Sequence, residues 1–288
     1  MEGLLPPVGA HLSVARGLRA VVEEARRLGL DGMQIFVRSP RGTRARDFPP
    51  QEAEWFVAAV RRERFFPVVV HCSYVCNPAA ARRQVYQLAC RLVAEDLERC
   101  RLLGAHFLVL HPGAHTTSSP AGAERRLARL LASVLAADGG DTLLLLEGMA
   151  GAGTELGGDF AQLARVLARA GHPRLGVCLD TCHLYAAGYD VTTTAGLERL
   201  AADIDATIGR QRVHLVHAND SLAALGSRRD RHAPLGEGLL GEHGLAAWLH
   251  HPFFGRLPLI IETPHHPLSR DLELLRRLAV AGGAAGGA

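Results

Sequence analysis

The sequence predicts an α/β protein with the (β/α)8 TIM barrel fold, and three observations favour this prediction. Short apolar runs alternate with amphipathic segments from one end of the chain to the other, which is typical of a parallel sheet with crossover helices. The apolar runs number eight, and 288 residues accommodate eight strand and helix units. A doubly wound open sheet is the alternative, but the AHLSVARG segment after the first run is not the glycine-rich turn expected there.

Each predicted strand is an apolar run with the length of one buried strand. In chain order the runs are Val8 to Leu12, Gly32 to Val37, Pro67 to Val70, Phe107 to Leu110, Thr142 to Leu146, Leu175 to Leu179, Val213 to Val216 and Leu257 to Ile261. Helical patterns lie between them, for example at Val14 to Leu28, Ala79 to Leu103, Ala121 to Ala137, Asp159 to Ala170 and Leu268 to Val280. Several of these patterns end in glycine, as helix C-termini commonly do.

No linker or shift in composition divides the chain, so we predict one catalytic domain over residues 1–280. Residues 281–288, AGGAAGGA, are predicted to be a disordered tail because such small side chains bury little surface. The N-terminus lacks a signal-peptide pattern, and no apolar run approaches the roughly 20 residues that span a bilayer. We therefore expect a cytoplasmic protein with no membrane partner. We also expect it to be a monomer.

The amino-acid composition excludes several kinds of catalytic chemistry. All 32 basic residues are arginine, so a lysine Schiff base, a phosphate-loop lysine and a lysine general base are excluded. The net charge of +3 is too small to argue for nucleic-acid binding by itself. Six cysteines in a chain with no export signal predict buried, reduced thiols instead of a disulfide framework.

Metal-ligand side chains follow the predicted strands. In the stretch from Gly176 to Asp190 the apolar strand ends on Asp180, and His183 follows three residues later. The same pattern holds from the third strand to the eighth, after which the first polar residues are His71, His111, Glu147, Asp180, His217 and Glu262. The strand ends of a barrel form one ring at a single face, where ligands and metals bind. We therefore expect these six side chains to converge.

A second group is expected to join this ring. Asp230 and His232 occupy alternate positions after the seventh strand, so in an extended segment they point the same way and could meet His183. The nine donors are five histidines, two aspartates and two glutamates, a set that suits Zn²⁺ best, with Mn²⁺ or Fe²⁺ as alternatives. Nine donors are too many for one tetrahedral ion, so two or three ions are predicted. Such a cluster attracts an anion, and a phosphodiester fits.

The distribution of arginine agrees with an anionic substrate. Two arginine clusters follow strands and lie on the predicted metal-bearing face. They are Arg38, Arg41, Arg44 and Arg46 after the second strand and Arg228, Arg229 and Arg231 after the seventh. Tyr74 and Val75, just past His71, form an aromatic and aliphatic pair that could enter a base stack.

Taken together, these residues resemble the signature of endonuclease IV, the zinc-dependent apurinic/apyrimidinic endonuclease family. The matching motifs are AHLS, HCSY at His71 to Tyr74, HPGAH at His111 to His115, GVCLDTCHLYAAGYD, NDS at Asn219 to Ser221, DRH at Asp230 to His232 and ETP at Glu262 to Pro264. The resemblance implies a (β/α)8 barrel that binds duplex DNA and cleaves it on the 5′ side of an abasic site. It also implies a 3′-hydroxyl product, and removal of blocked 3′ ends as a second activity.

The resemblance further implies three Zn²⁺ per chain, with Mn²⁺ as an alternative at one site. In that scheme His71 and His111 hold one ion, Asp180, His217 and Glu262 hold a second, Glu147 bridges these two, and His183, Asp230 and His232 hold the third. Glu147 and Glu262 are then catalytic, since Glu262 resembles the residue that assists the attacking water. Arg41, Tyr74 and Val75 resemble the side chains that enter the minor groove and fill the gap left by a flipped nucleotide.

The chain departs from the family pattern after Glu147. The segment from Gly148 to Gly153 reads GMAGAG where the family usually has Asn-Thr-Ala-Gly-Gln-Gly, so polar side chains that would support the glutamate are lost. Two alternatives stay open. One is a metal-dependent sugar isomerase or epimerase on the same barrel, which generally needs fewer histidines. The other is a DNA-binding barrel whose catalysis is impaired by the altered loop.

Overall fold

The computed structural model describes residues 5–263 and 267–281, within which eight parallel strands close into a barrel. The barrel strands are β1 (Val8–His11), β2 (Gly32–Phe36), β3 (Val68–His71), β4 (Phe107–Leu110), β5 (Leu143–Glu147), β6 (Leu175–Asp180), β7 (Val213–Ala218) and β10 (Leu259–Ile261). Each strand pairs with the next barrel strand along the chain, and β10 closes the ring on β1. The predicted (β/α)8 barrel is confirmed, and the open-sheet alternative is wrong.

Helices alternate with these strands. They are α1 (Leu18–Leu28), α2 (Pro50–Glu63), α3 (Arg83–Leu103), α4 (Pro120–Ala137), α5 (Phe160–Ala170), α6 (Thr181–Ala187), α7 (Thr194–Thr207), α8 (Gly241–His250) and α9 (Leu268–Ala281). None of these described helices is both long enough and apolar enough to cross a membrane. The predicted helix at Val14 is divided, because Gly17 takes a φ of 93° between a 3-10 turn at Val14–Arg16 and α1.

The ends of the chain are described only in part. Helix α9 reaches Ala281, so the first residue of the predicted tail is helical. Residues 282–288, the rest of that tail, and Pro264 of the ETP motif lie outside the described residues. The assignment of residues 1–280 to one catalytic domain stays a prediction.

The loop between β7 and α8 contains a short antiparallel ribbon that was not predicted, formed by β8 (Asp220–Ser221) and β9 (His232–Ala233). The buried carboxylate of Asp220 accepts hydrogen bonds from four backbone amides of the returning chain. The donors are Gly236, Gly238, Leu240 and Gly241. These bonds fix the loop that carries Asp230 and His232.

The barrel interior explains why polar residues collect at one end. Its centre is an apolar plug made of Val69, Phe107, Val109, Leu145, Cys178, Leu215 and Ile260. Successive side chains of a strand point to opposite faces, so the residue two positions further faces the interior again. Two positions after Val69, Val109, Leu145, Cys178, Leu215 and Ile260 come His71, His111, Glu147, Asp180, His217 and Glu262. The six predicted ligands therefore form the polar layer directly above the plug.

Candidate metal centre and nucleic-acid face

Glu147 lies at the centre of the polar layer, at the end of β5, and is 1% exposed. Its Oε2 atom lies 3.2 Å from Nε2 of both His71 and His111. Its Oε1 atom lies 3.2 Å from Nδ1 of both His183 and His217. Four of the predicted histidines therefore surround a single buried carboxylate.

Asp180, His217 and Glu262 form a second group, in which ligand atoms of all three residues lie within 4.8 Å of one another. The register of β6 and β7 sets Asp180 directly beside His217. Glu262 follows β10, and its Oε2 atom lies 3.3 Å from Nδ1 of His217. Because Glu147 also contacts His217, this group is continuous with the first.

His183, Asp230 and His232 form the third group, again with ligand atoms within 4.8 Å of one another. Nε2 of His183 lies 3.4 Å from Oδ2 of Asp230, and Nε2 of His232 lies 3.0 Å from Oδ1 of the same carboxylate. His183 faces Glu147 through its other nitrogen and so links this group to the centre. All nine residues predicted as ligands lie in one connected cluster.

Backbone carbonyls orient two of the histidines. Nδ1 of His71 lies 2.7 Å from the carbonyl oxygen of Cys72, and Nδ1 of His183 lies 3.1 Å from that of Gly148. A carbonyl only accepts hydrogen bonds, so each Nδ1 carries a proton, and Nε2 is the nitrogen of each ring that a metal ion would bind. The altered loop after Glu147 thus still supports His183, because the contact comes from the backbone of Gly148.

The charges of the cluster depend on one another. Burial disfavours the Glu147 carboxylate, but the charges of His217 and His111 outweigh it and hold the pKa of Glu147 well below its usual range. Burial also disfavours a charged His183, yet Asp180, Asp230 and Glu147 raise the pKa of His183 well above its usual value. His183 therefore favours its protonated form when no metal is bound, and a bound metal ion would replace a proton.

Two buried nitrogens test whether a metal ion fits. Nε2 of His183 and Nε2 of His232 make no hydrogen bond, although both lie beside Asp230. Buried polar atoms normally have partners, so such a pair needs an explanation. A cation bound between these nitrogens and the carboxylate satisfies both, and the nitrogen and oxygen donor set suits Zn²⁺. The residues present fit the predicted metal centre.

The six cysteines are all free, and five of them are buried, as predicted. Ligand atoms of Cys182, Asp180 and His232 also lie within 4.8 Å of one another, so these three residues form a fourth group of possible donors. Burial raises the pKa of Cys182 to about 11. The thiol is therefore protonated at neutral pH and is a poorer ligand than the histidines around it.

Three residues of the site were not predicted as site residues, although two of them, His11 and Asn219, belong to the AHLS and NDS motifs. Gln34 of β2 contacts both Glu262 and His217, and Nδ1 of His11 lies 3.0 Å from the Gln34 amide nitrogen. Nδ2 of Asn219 lies 2.7 Å from Oδ2 of Asp180. A signal was available, because His11 and Gln34 lie on the first two strands, just as six of the nine predicted ligands lie on or directly after the next six. The prediction from strand ends began only at the third strand.

Two of the three predicted DNA contacts, Arg41 and Tyr74, line a cavity that reaches Glu262. Tyr74 and Val75 are 58% and 38% exposed, and Arg41 is also exposed. A cavity of about 490 Å³ joins Arg41 and Tyr74 to Glu262. Its lining residues are His11, Phe36, Ser39, Pro40, Arg41, Tyr74, Glu262 and Thr263. The ring of Tyr74 lies 5.6 Å from that of His111, so an exposed aromatic residue adjoins the donor cluster.

Arg38 differs from the other arginines of its cluster. It was expected on the anion-facing surface, but it is 3% exposed, and its guanidinium donates to Oδ1 of Asp96 at 2.6 Å and 2.9 Å. Asp96 belongs to α3, so this ion pair attaches the loop after β2 to the neighbouring helix. That expectation is wrong for Arg38, whereas Arg41 and Arg44 are exposed.

The fold and the donor cluster define a (β/α)8 barrel with a candidate multinuclear metal centre. A family model described as the xylose isomerase-like TIM barrel matches residues 22–279. "Probable endonuclease 4" of Carboxydothermus hydrogenoformans is 40% identical over 273 residues, which are 94% of this chain and 95% of the relative. The protein of the same name from Chloroflexus aurantiacus is 41% identical over 280 residues, which are 95% and 98% of the two chains.

A solved structure agrees with these relatives. The crystal structure of endonuclease IV from Thermus thermophilus matches with a TM-score of 0.84 and 38% identity, covering 95% of this chain and 98% of that chain. The chain belongs to the endonuclease IV family, and it is a nuclease of the hydrolase class.

Proposed function

We propose that the protein is a DNA-repair endonuclease that hydrolyses the phosphodiester on the 5′ side of an abasic site in duplex DNA. The products are a 3′-hydroxyl and a 5′-deoxyribose phosphate, and blocked 3′ ends are cleared at the same site. The observation that carries the proposal is the cluster of nine donors, in which Glu147 touches four histidines and Asp230 touches two. We expect the enzyme to act in the cytoplasm, on DNA and as a monomer.

Three Zn²⁺ per chain are proposed for this cluster, with Mn²⁺ as an alternative at one position. His71 and His111 would hold one ion, Asp180, His217 and Glu262 a second, and His183, Asp230 and His232 the third, with Glu147 shared between the first two. Zinc ions grouped in this way activate water and stabilise the charge that develops on a phosphate. Glu262, which lines the cavity beside Tyr74, is proposed to orient the attacking water.

The rim residues are proposed to select the lesion. Arg41, Tyr74 and Val75 would enter the minor groove and occupy the space left when the abasic nucleotide leaves the stack. Unstacking costs least where a base is already missing. The cavity between Arg41, Tyr74 and Glu262 provides a path from the rim to the donor cluster.

The test uses a duplex with one tetrahydrofuran abasic analogue, which cannot react through an imine. Zinc-loaded protein should cut this strand once, directly 5′ to the analogue, and leave a 3′ end that a polymerase extends. Prolonged chelation should abolish cutting, and added Zn²⁺ should restore it. Cutting only of natural abasic DNA, with a product trapped by borohydride, would contradict the proposal.

The same assay separates the alternatives. Specific binding of the analogue without cutting, at full zinc occupancy, would indicate a DNA-binding barrel with impaired catalysis. Failure to bind the analogue together with zinc-dependent turnover of a ketose would indicate a sugar epimerase. The group formed by His183, Asp230 and His232 argues against the epimerase, since that chemistry needs acid and base groups instead of a further metal site.

A further inference from the structure

We infer that Gln34 is a positioning residue, whose side-chain amide holds Glu262 and determines which nitrogen of His217 faces the metal centre. The inference rests on the proposed function, because Glu262 and His217 are ligands in that proposal. It goes further by giving a role to a residue that binds neither metal nor DNA.

Both the nitrogen and the oxygen of the Gln34 side-chain amide have close polar partners. Gln34 lies on β2 and is completely buried. Its Nε2 atom donates to Oε1 of Glu262 and lies 3.0 Å from Nδ1 of His11. Its Oε1 atom lies 2.9 Å from Nε2 of His217. One residue of β2 therefore joins the ends of β1, β7 and β10 across the top of the barrel.

The partners fix the orientation of this amide. The carboxylate of Glu262 only accepts hydrogen bonds, so a reversed amide would place two acceptor oxygens against each other. With the nitrogen toward Glu262, the amide oxygen faces Nε2 of His217, and that nitrogen must donate. Nδ1 of His217 is then the nitrogen that faces the metal centre, where it lies 3.2 Å from Oε1 of Glu147 and 3.3 Å from Oε2 of Glu262.

Glu262 is held on both of its oxygens. Oε1 accepts from Gln34, and Oε2 lies 3.3 Å from Nδ2 of Asn219. Gln34 also orients the ring of His217, as the backbone carbonyls of Cys72 and Gly148 orient the rings of His71 and His183. Because this support comes from a side chain, it can be removed without moving the backbone.

The experiment compares Gln34→Met with Gln34→Ala. Met has nearly the volume of Gln but cannot hydrogen-bond, whereas Ala leaves room for a water molecule that can bridge Glu262 and His217. Thr142→Val is the matched control, since Thr142 is buried just before β5, at the opposite end of that strand from Glu147, and donates to the Ala105 carbonyl at 2.9 Å. Zinc affinity is measured by competition with a chromophoric chelator, and kcat and KM are measured on the tetrahydrofuran duplex.

Gln34→Met should weaken the binding of at least one zinc ion by about ten- to a hundredfold, as the loss of a residue that orients ligands typically does. Its kcat should fall while KM for DNA stays the same. Gln34→Ala should lose less than Gln34→Met, and Thr142→Val should match the wild type. A role in packing alone predicts the reverse order, because Ala leaves the larger cavity.

Zinc affinity of Gln34→Met within about twofold of the wild type, where about tenfold or more is expected, would overturn the inference. So would weaker zinc binding by Gln34→Ala than by Gln34→Met. If Gln34→Met does not fold, the Ala variant decides: a loss of about threefold or more supports the role, and unchanged affinity overturns it. Zinc binding is measured without DNA, so wild-type protein that binds zinc but leaves the duplex intact would refute the proposed function and not the role of Gln34.

Discussion

Oε1 of Glu147 lies 3.2 Å from Nδ1 of His217, although 70 residues separate them in sequence. Strands β5 and β7 are not neighbours, because β6 lies between them. The contact therefore crosses the interior of the barrel and depends on closure of the sheet. Six of the nine predicted ligands meet for the same reason, since inward-facing positions above the apolar plug converge in the barrel. His183 joins them from α6, and Asp230 and His232 join them from the loop between β7 and α8.

Replacing Glu147 by Gln should remove the negative charge that four of the histidines contact. Metal analysis of the dialysed variant should show fewer ions per chain, and cutting of the tetrahydrofuran duplex should fall by at least about a hundredfold. Glu242→Gln is the control, because Glu242 is exposed and pairs only with Arg277 among the contacts described. Unchanged metal content in Glu147→Gln would show that this carboxylate is not a shared ligand.

Replacing Glu262 by Gln should separate catalysis from recognition. The side chain keeps its size but loses its charge and one of the two acceptor oxygens that face Gln34 and Asn219. Cutting should fall by about a hundredfold or more, while the Kd for the tetrahydrofuran duplex changes little in a gel-shift titration. Equal losses of binding and cutting would place Glu262 in DNA recognition instead.

Tyr74→Ala should weaken the binding of lesion DNA without unfolding the protein. Stacking of an aromatic side chain on nucleic-acid bases contributes about 1–3 kcal/mol, so Kd should rise by roughly five- to a hundredfold. Phe66→Ala is the control, because Phe66 is also exposed, at 40%, but packs beside His106 and Phe107 where β3 and β4 begin. Equal effects of the two substitutions on Kd would remove Tyr74 from the DNA interface.

Two arginines of one loop should behave differently. Arg38→Met should lower the free energy of unfolding by about 3–5 kcal/mol, because it leaves the buried Asp96 without its cation. Arg44→Met changes an exposed side chain and should leave stability within about 0.5 kcal/mol. It should instead reduce the salt dependence of DNA binding by about one unit of slope. Urea unfolding measures the stability of both variants, and salt titrations measure their DNA binding. An Arg38→Met protein as stable as the wild type would contradict the structural role of Arg38.

The benefit of metal to stability should grow with pH. In the metal-free protein burial opposes charge on His183 and His217, but neighbouring groups, with Asp180 foremost for His183, raise the pKa of both imidazoles. Their stabilising effect is complete below about pH 6.5 and is lost as the pH rises through the folded-state pKa values. Bound zinc supplies positive charge at the pH values where the two histidines have lost theirs. The difference in Tm between zinc-loaded and chelated protein should therefore widen from about pH 7 to pH 9. A constant or narrowing gap would contradict this charge balance.

Most of the fold could be predicted from the sequence because strand and helix patterns are local. All eight predicted strands are present, and the residues that follow them meet as the barrel topology requires. Arg38 could not be assigned correctly, since its partner Asp96 lies 58 positions away on another element. Gln34 was missed because strand ends were compared only from the third strand onward, and because its partners Glu262 and His217 lie 228 and 183 positions away in sequence.

The central claim is tested most directly by titrating metal-free protein with Zn²⁺ while native mass spectrometry counts bound ions and the tetrahydrofuran duplex reports cutting. The account predicts that three ions bind per chain and that full activity appears only when the three-ion species dominates. Full activity with one ion bound, or cutting that persists in completely metal-free protein, would contradict it.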